Sequence, residues 1–169
     1  VVLMHLEEFY NYKNKLIEEL LTDKNILKLI DEDTPLPESK SLVYKCVFPY
    51  EYIPKTVEEA HTFICVDVDI LKTDSIKPFY LPAIYIWVFT HSSKLRLPEG
   101  GIRTDALVSA IAQKINGSRN YGLGETELYS VKRFAPMTGF TGKVMTFYTK
   151  DFSRVYDPKK PIPSNRKRG

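Results

Sequence analysis

The sequence predicts an α+β fold: a mostly antiparallel four- to five-stranded sheet with two helices packed on one face. Three observations carry this. Apolar residues recur at helical spacing in two separate stretches, residues 6–30 and 103–116. Thr62 to Lys72 alternates in the period-two pattern of a strand. Phe79 to His91 then reads as a thirteen-residue strand, apolar on both faces from Ile84 to Phe89. Helices grouped outside a run of strands, rather than alternating with them, imply an α+β layer arrangement.

The first helix spans Leu6 to Ile30, with Phe9, Leu16, Ile17, Leu20, Leu21, Ile26, Leu27, Leu29 and Ile30 on its apolar stripe. Asp23 and Asn25 favour caps over helix interiors, which predicts a break or second short turn between Thr22 and Asn25. The acidic, proline-containing run Asp31 to Pro37 ends the helix. Leu42 to Phe48 reads as a strand, and Pro49 and Pro54 confine the next segment to a sheet edge or an extended loop. Thr56 to Ala60 reads as a loop or helical turn. On Thr62–Lys72, Phe63, Cys65, Asp67 and Asp69 share one face, while Ile64, Val66, Val68 and Ile70 share the other. The short connection Thr73–Pro78 predicts antiparallel pairing with the long strand.

The second helix runs from Arg103 to Asn116, with Thr104 as its N-cap and Leu107, Val108, Ile111, Ala112 and Ile115 as its stripe. Asn116-Gly117 supplies the left-handed stop. Leu128–Ala135 and Lys143–Asp151 are two further strands around a Pro136-Met137-Thr138-Gly139 turn. The chain therefore divides into a single domain over residues 1–152 and a basic, proline-containing tail over 153–169, which its composition predicts to be disordered.

With both helices on one face, the opposite face of the sheet is left open. Either Tyr85-Trp87-Phe89 or Ile84-Ile86-Val88 lies on it, and a second copy is the simplest cover. Tyr85, Trp87 and Phe89 are the candidate oligomer contacts.

A chain of 169 residues suffices for one core. A hydrophobic share of 43% and a charged share of 27% are those of an ordinary globular domain. The N-terminus has neither a basic leader nor a long apolar run, so no signal peptide is expected, and Met4 is a candidate native start after Val1 to Leu3. No stretch has the length of a membrane span. Cys46 and Cys65 sit in apolar contexts and are expected to be reduced thiols of a cytoplasmic protein. The net charge of +3 is uneven: the stretch from Phe152 to Gly169 carries six basic residues and one acid, which leaves the body at −2. The folded part therefore lacks the basic stripe of a nucleic-acid domain.

Candidate chemistry is sparse. His5, His61 and His91 stand at no metal-ligand spacing, so no metal is expected. Gly122-Leu123-Gly124 follows a helix and precedes a strand, the reverse of a dinucleotide site, and reads as a turn. Neither a phosphate loop nor a nucleophile elbow occurs. No catalytic residue and no cofactor is expected. Asp67 and Asp69, with Lys72 on the same strand, are the strongest enzymatic idea, a metal-dependent nuclease-like site; the plainer reading is a solvated stretch of strand. The loop Lys94 to Arg103 is long enough to project and bends at Gly100-Gly101. Its Arg96 and Arg103 can pair with carboxylates of a neighbour or with phosphate, or simply sit solvated at a helix entry. In the tail, Lys159, Lys160, Arg166, Lys167 and Arg168 are candidate non-specific nucleic-acid contacts.

Several segments resemble proteins encoded in the tail-assembly neighbourhoods of phages and prophages of Gram-positive bacteria. They are Val47 to Pro54, Thr62 to Asp69, Leu95 to Asp105, Asn116 to Arg119 and Tyr148 to Phe152. The element order is similar to that of phage tail-terminator, or tail-completion, proteins at the head–tail connector. The chain departs from them in its basic tail and in its Phe48–Pro54 segment. The resemblance implies a non-enzymatic protein that forms a ring, usually a hexamer, capping the tail tube and docking it to the neck. It further implies partners among tail-tube and neck proteins, a lumen through which DNA can pass, no membrane, and a path from host cytoplasm to virion.

Overall fold

A computed structural model describes residues 6–72, 80–121 and 124–149. The tail, the Thr73–Pro78 connection, Gly122-Leu123, Val1 to Leu3 and the last two residues expected of the final strand lie outside them. Among the described residues there are three α-helices, α1 (Leu6–Thr22), α2 (Lys24–Ile30) and α3 (Arg103–Ile115). The strands are β1 (Val47–Phe48), β2 (Thr62–Lys72), β3 (Tyr80–His91), β4 (Thr126–Phe134) and β5 (Phe140–Thr149). They form one mixed sheet in the order β1-β2-β3-β5-β4.

The break expected near Thr22 is there, and its cause is local. Asp23 caps α2, its Oδ1 accepting the backbone N–H groups of Asn25 at 2.9 Å and Ile26 at 3.2 Å. This re-aims the second half of the apolar stripe. Leu16, Ile17, Leu20 and Leu21 of α1 and Ile26, Leu27 and Ile30 of α2 all enter one core. α3 adds Leu107, Ile111 and Ile115, and the sheet adds Ile64, Val66, Ile84, Ile86, Val88, Met145 and Phe147. The Ile84-Ile86-Val88 face is thus the one beneath the helices.

Two expectations are corrected. The first is a strand over Leu42–Phe48. Residues 36–42 instead form a 3-10 turn, and only Val47–Phe48 is extended. Leu42 O accepts the N–H groups of both Lys45 and Cys46, and Tyr44 takes a left-handed φ of 64° to close that turn. The two-residue β1 runs parallel to β2, Val47 opposite Ile64, so the sheet is mixed. The second concerns the helix cap: Ile102 occupies the N-cap of α3 without a side-chain bond, and Thr104 is buried in the first turn.

The outer face of the sheet is not wholly open. The connection from β1 to β2, residues 49–61, crosses it as a strap. Tyr52 stacks flat on Phe48 at 3.9 Å, and its hydroxyl donates to Glu59 Oε2 at 2.7 Å. Beneath lie Phe63 and Phe89, stacked at 5.2 Å, with Phe140 beside them. These buried rings form a second core, on the side opposite the helices. Gly142 of β5 makes room for it. A Cβ there would overlap Val88 O and come within 2.5 Å of Phe89 Cβ.

Candidate assembly surface

The strap covers the half of the outer face around Phe63 and Phe89 and stops short of the other half. Register places Asp67 opposite Tyr85, Tyr85 opposite Thr146, and Thr146 opposite Ser130. Along that line Tyr85 and Trp87 stack at 6.0 Å and are half-buried. Burial, then the neighbouring Tyr148 and Asp69, raises the Tyr85 phenol above its ordinary pKa. β4 carries an irregularity between Leu128 and Ser130. It frees Tyr129, 70% exposed, to meet Tyr148 edge-on at 4.8 Å. A partly exposed patch of four aromatic rings, flanked by Val144 and Thr146 and joined through Trp87 to the strap-covered core, therefore lies beyond the strap.

The residues singled out in the sequence do not gather in one place. Tyr85 and Trp87 are on the uncovered half. Phe89 is fully buried under the strap by this chain's own rings. Arg96 is exposed on a tight turn beyond the C-terminal end of β3. That loop is closed: Leu97 N donates to Gly101 O at 3.1 Å and Arg103 N to Leu95 O at 2.8 Å. Gly100 and Gly101 take φ of 101° and 94°, which an L side chain rarely adopts. Arg103 is buried; its Nε donates to Lys94 O and its Nη1 to Leu29 O, both at 2.8 Å, with Glu32 3.8 Å from Nη2. Its guanidinium ties the loop to the C-terminal turn of α2. Lys159, Lys160, Arg166, Lys167 and Arg168 lie outside the described residues.

Asp67 is engaged within the fold. Lys13 of α1 reaches it at 2.7 Å and also donates to Pro49 O at 2.9 Å, and Val68 N donates to the same Oδ1. Asp69 is exposed. Among the described residues no group of three or more His, Cys, Asp or Glu side chains converges as a metal site would require. No described helix is long and apolar enough to cross a membrane.

Sequence reasoning passes over Lys13, Glu19 and Tyr121. The Tyr121 hydroxyl donates to Glu19 Oε2, Asn120 donates to Glu19 Oε1 at 3.2 Å, and Thr149 Oγ1 donates to Tyr121 O at 3.1 Å. Burial, then the Glu19 bond, pushes the Tyr121 phenol far above its ordinary range. This network locks α1 to the end of β5. The partners stand about a hundred residues apart, so no local pattern announces them. Both thiols are free and buried, on opposite sides of the sheet. Burial raises Cys46 to about 11 and Cys65 to about 12, so neither is poised as a nucleophile.

A comparison with curated proteins finds no match. A family model does match, and over nearly the whole described fold: the model for YomW aligns with residues 16–149, from the buried part of α1 to the end of β5. The span takes in both cores, the strap and the aromatic patch. The chain belongs to the YomW family, which is associated with phages and prophages.

Proposed function

We propose that this chain is a structural protein of phage assembly, a ring-forming tail-terminator or neck component that caps the tail tube and joins it to the head connector. The observation that carries the reading is the divided outer face. One half is finished by the chain's own strap, and the other presents Tyr85, Trp87, Tyr129 and Tyr148 to whatever binds there. Aromatic rings on a rigid sheet supply large contact area at low entropic cost, as interface centres do. Membership of a phage-associated family supports the same direction. The role is structural rather than catalytic. Its partners are further copies of this chain, a hexamer being expected, and tail-tube and neck proteins, with DNA passing through the lumen.

Light scattering across a concentration series tests this. The expected mass is a ring multiple of 19.5 kDa, formed either alone or on addition of tail tubes. A monomer that persists at high concentration and with tubes present overturns the proposal.

A further inference from the structure

We infer that copies of this chain join through unlike sheet edges, the bare stretch of β2 in one subunit pairing with the outer edge of β4 in the next. The inference rests on the ring reading above and names its contact. β1 pairs with Ile64 and Cys65, and beyond Cys65 no described strand pairs with that edge of β2, where the Val68 N–H is held by the neighbouring Asp67 Oδ1. At the other end of the sheet, residues 116–118 bond Thr126 and Leu128. From Tyr129 to Phe134 no described residue pairs with the outer edge of β4. Unpaired edges of this length are templates for strand addition.

Charge selects the pairing. The β2 edge carries Asp67 and Asp69, with Lys72 at its far end; the β4 edge carries Lys132 and Arg133 and no acid. Two like edges set like charges opposite each other, which destabilises a strand pair, whereas unlike edges set opposite charges together. Lys13 already neutralises Asp67, which leaves Asp69 as the exposed acid of that edge with no ion pair among the described residues. Placing Asp69 opposite Lys132 keeps both on the outer face. The same antiparallel register sets Val131, 40% exposed, opposite Ile70 on the helix face. All of Tyr129–Phe134 then finds a partner within Asp67–Lys72.

The topology supplies the direction. β2, β3, β5 and β4 alternate, so a neighbour rotated about a ring axis offers β4 antiparallel to β2. A contact between different patches is heterologous, the kind that makes a ring where the rotation from one subunit to the next closes. β1 occupies the level of Ile64 and Cys65, which is also the level of Lys132 within the subunit. The incoming β4 is therefore displaced by four residues, from that level to Asp69. Four residues at ~3.3 Å against four strand spacings at ~4.8 Å correspond to a strand tilt of about 35° in a flat ring, within the range of closed sheets.

The test is charge exchange read by light scattering. Asp69→Lys and Lys132→Glu alone should each move the monomer-to-ring midpoint to a roughly tenfold or greater concentration, and the double variant should recover it. Circular dichroism reports whether each variant is folded. Oxidation of the Asp69→Cys, Lys132→Cys double variant supplies an independent readout: a ladder of linked subunits, with neither single cysteine linking to itself. A ring that ignores both reversals, or single-cysteine variants that cross-link, overturns the edge pairing while the ring stands. A parent chain that is monomeric throughout, tail tubes included, overturns both.

Discussion

Arg103 looks in sequence like a solvent-facing arginine at a helix entry, and in the fold it holds three elements together. Replacing it with methionine keeps the apolar stem and removes the donors to Leu29 O and Lys94 O. Hydrogen bonds from a charged group are worth ~1.5–3 kcal/mol each, and the carbonyls left behind are part-shielded from water. Glu32, half exposed at 3.8 Å, adds little. Arg103→Met should therefore cost about 3 kcal/mol. For a domain of this size that lowers Tm by roughly 6–12 °C. Arg103→Lys should recover only part of the loss, because one ammonium cannot serve two carbonyls in the guanidinium's fork geometry. Thermal unfolding followed by circular dichroism reads both variants. A Met variant within about 1 kcal/mol of the parent, or a Lys variant equal to it, refutes the assignment.

Two further predictions concern the outer core. Gly142→Ala forces a methyl group into Val88 O and Phe89, so it should destabilise by about 2–4 kcal/mol, seen as an earlier midpoint in urea; tolerance of the alanine would contradict the packing of Phe89 over β5. The Tyr52–Glu59 bond makes the strap pH-sensitive at both ends. Burial, then the Glu59 bond, raises Tyr52 from 10.0 to about 12, so its contribution is complete below pH 10 and is lost as pH rises toward 12. Tyr52, chiefly, holds Glu59 below 4.5, so that contribution is present above 4.5 and lost as pH falls through the lowered value. Limited proteolysis of residues 49–61 should rise in alkali for the parent. Tyr52→Phe should cleave faster at neutral pH and lose the alkaline step; an unchanged alkaline step would place its origin elsewhere.

How much of the fold is legible in the sequence depends on how local each cause is. β2 and β3 are readable because one carries strict alternation and the other an apolar run too short for a membrane. The split between α1 and α2 is readable because Asp23 caps its own next turn. The strand expected over Leu42–Phe48 shrinks to Val47–Phe48 because β-prone Val43 and Tyr44 are overruled by Leu42 O, which gathers two N–H groups into a turn. The parallel pairing of β1, the covering of Phe89 by the strap and the burial of Arg103 are all decided at long range. Leu29 O lies 74 residues from the guanidinium it accepts, and no window of sequence contains both. For the same reason the aromatic patch is half visible: Tyr85 and Trp87 stand in alternation, whereas Tyr129 reaches the surface through an irregularity that leaves no periodic trace.

The strap over one half of the outer face separates folding from assembly within a single surface. Substitutions at Phe48, Tyr52, Phe63 or Phe140 act on the lone subunit and register as lost melting temperature at any concentration. A substitution at Tyr129, largely exposed on the same sheet, leaves that temperature nearly unchanged and acts on what the subunit joins. Neighbouring side chains on one sheet thus belong to two different equilibria, one unimolecular and one dependent on concentration.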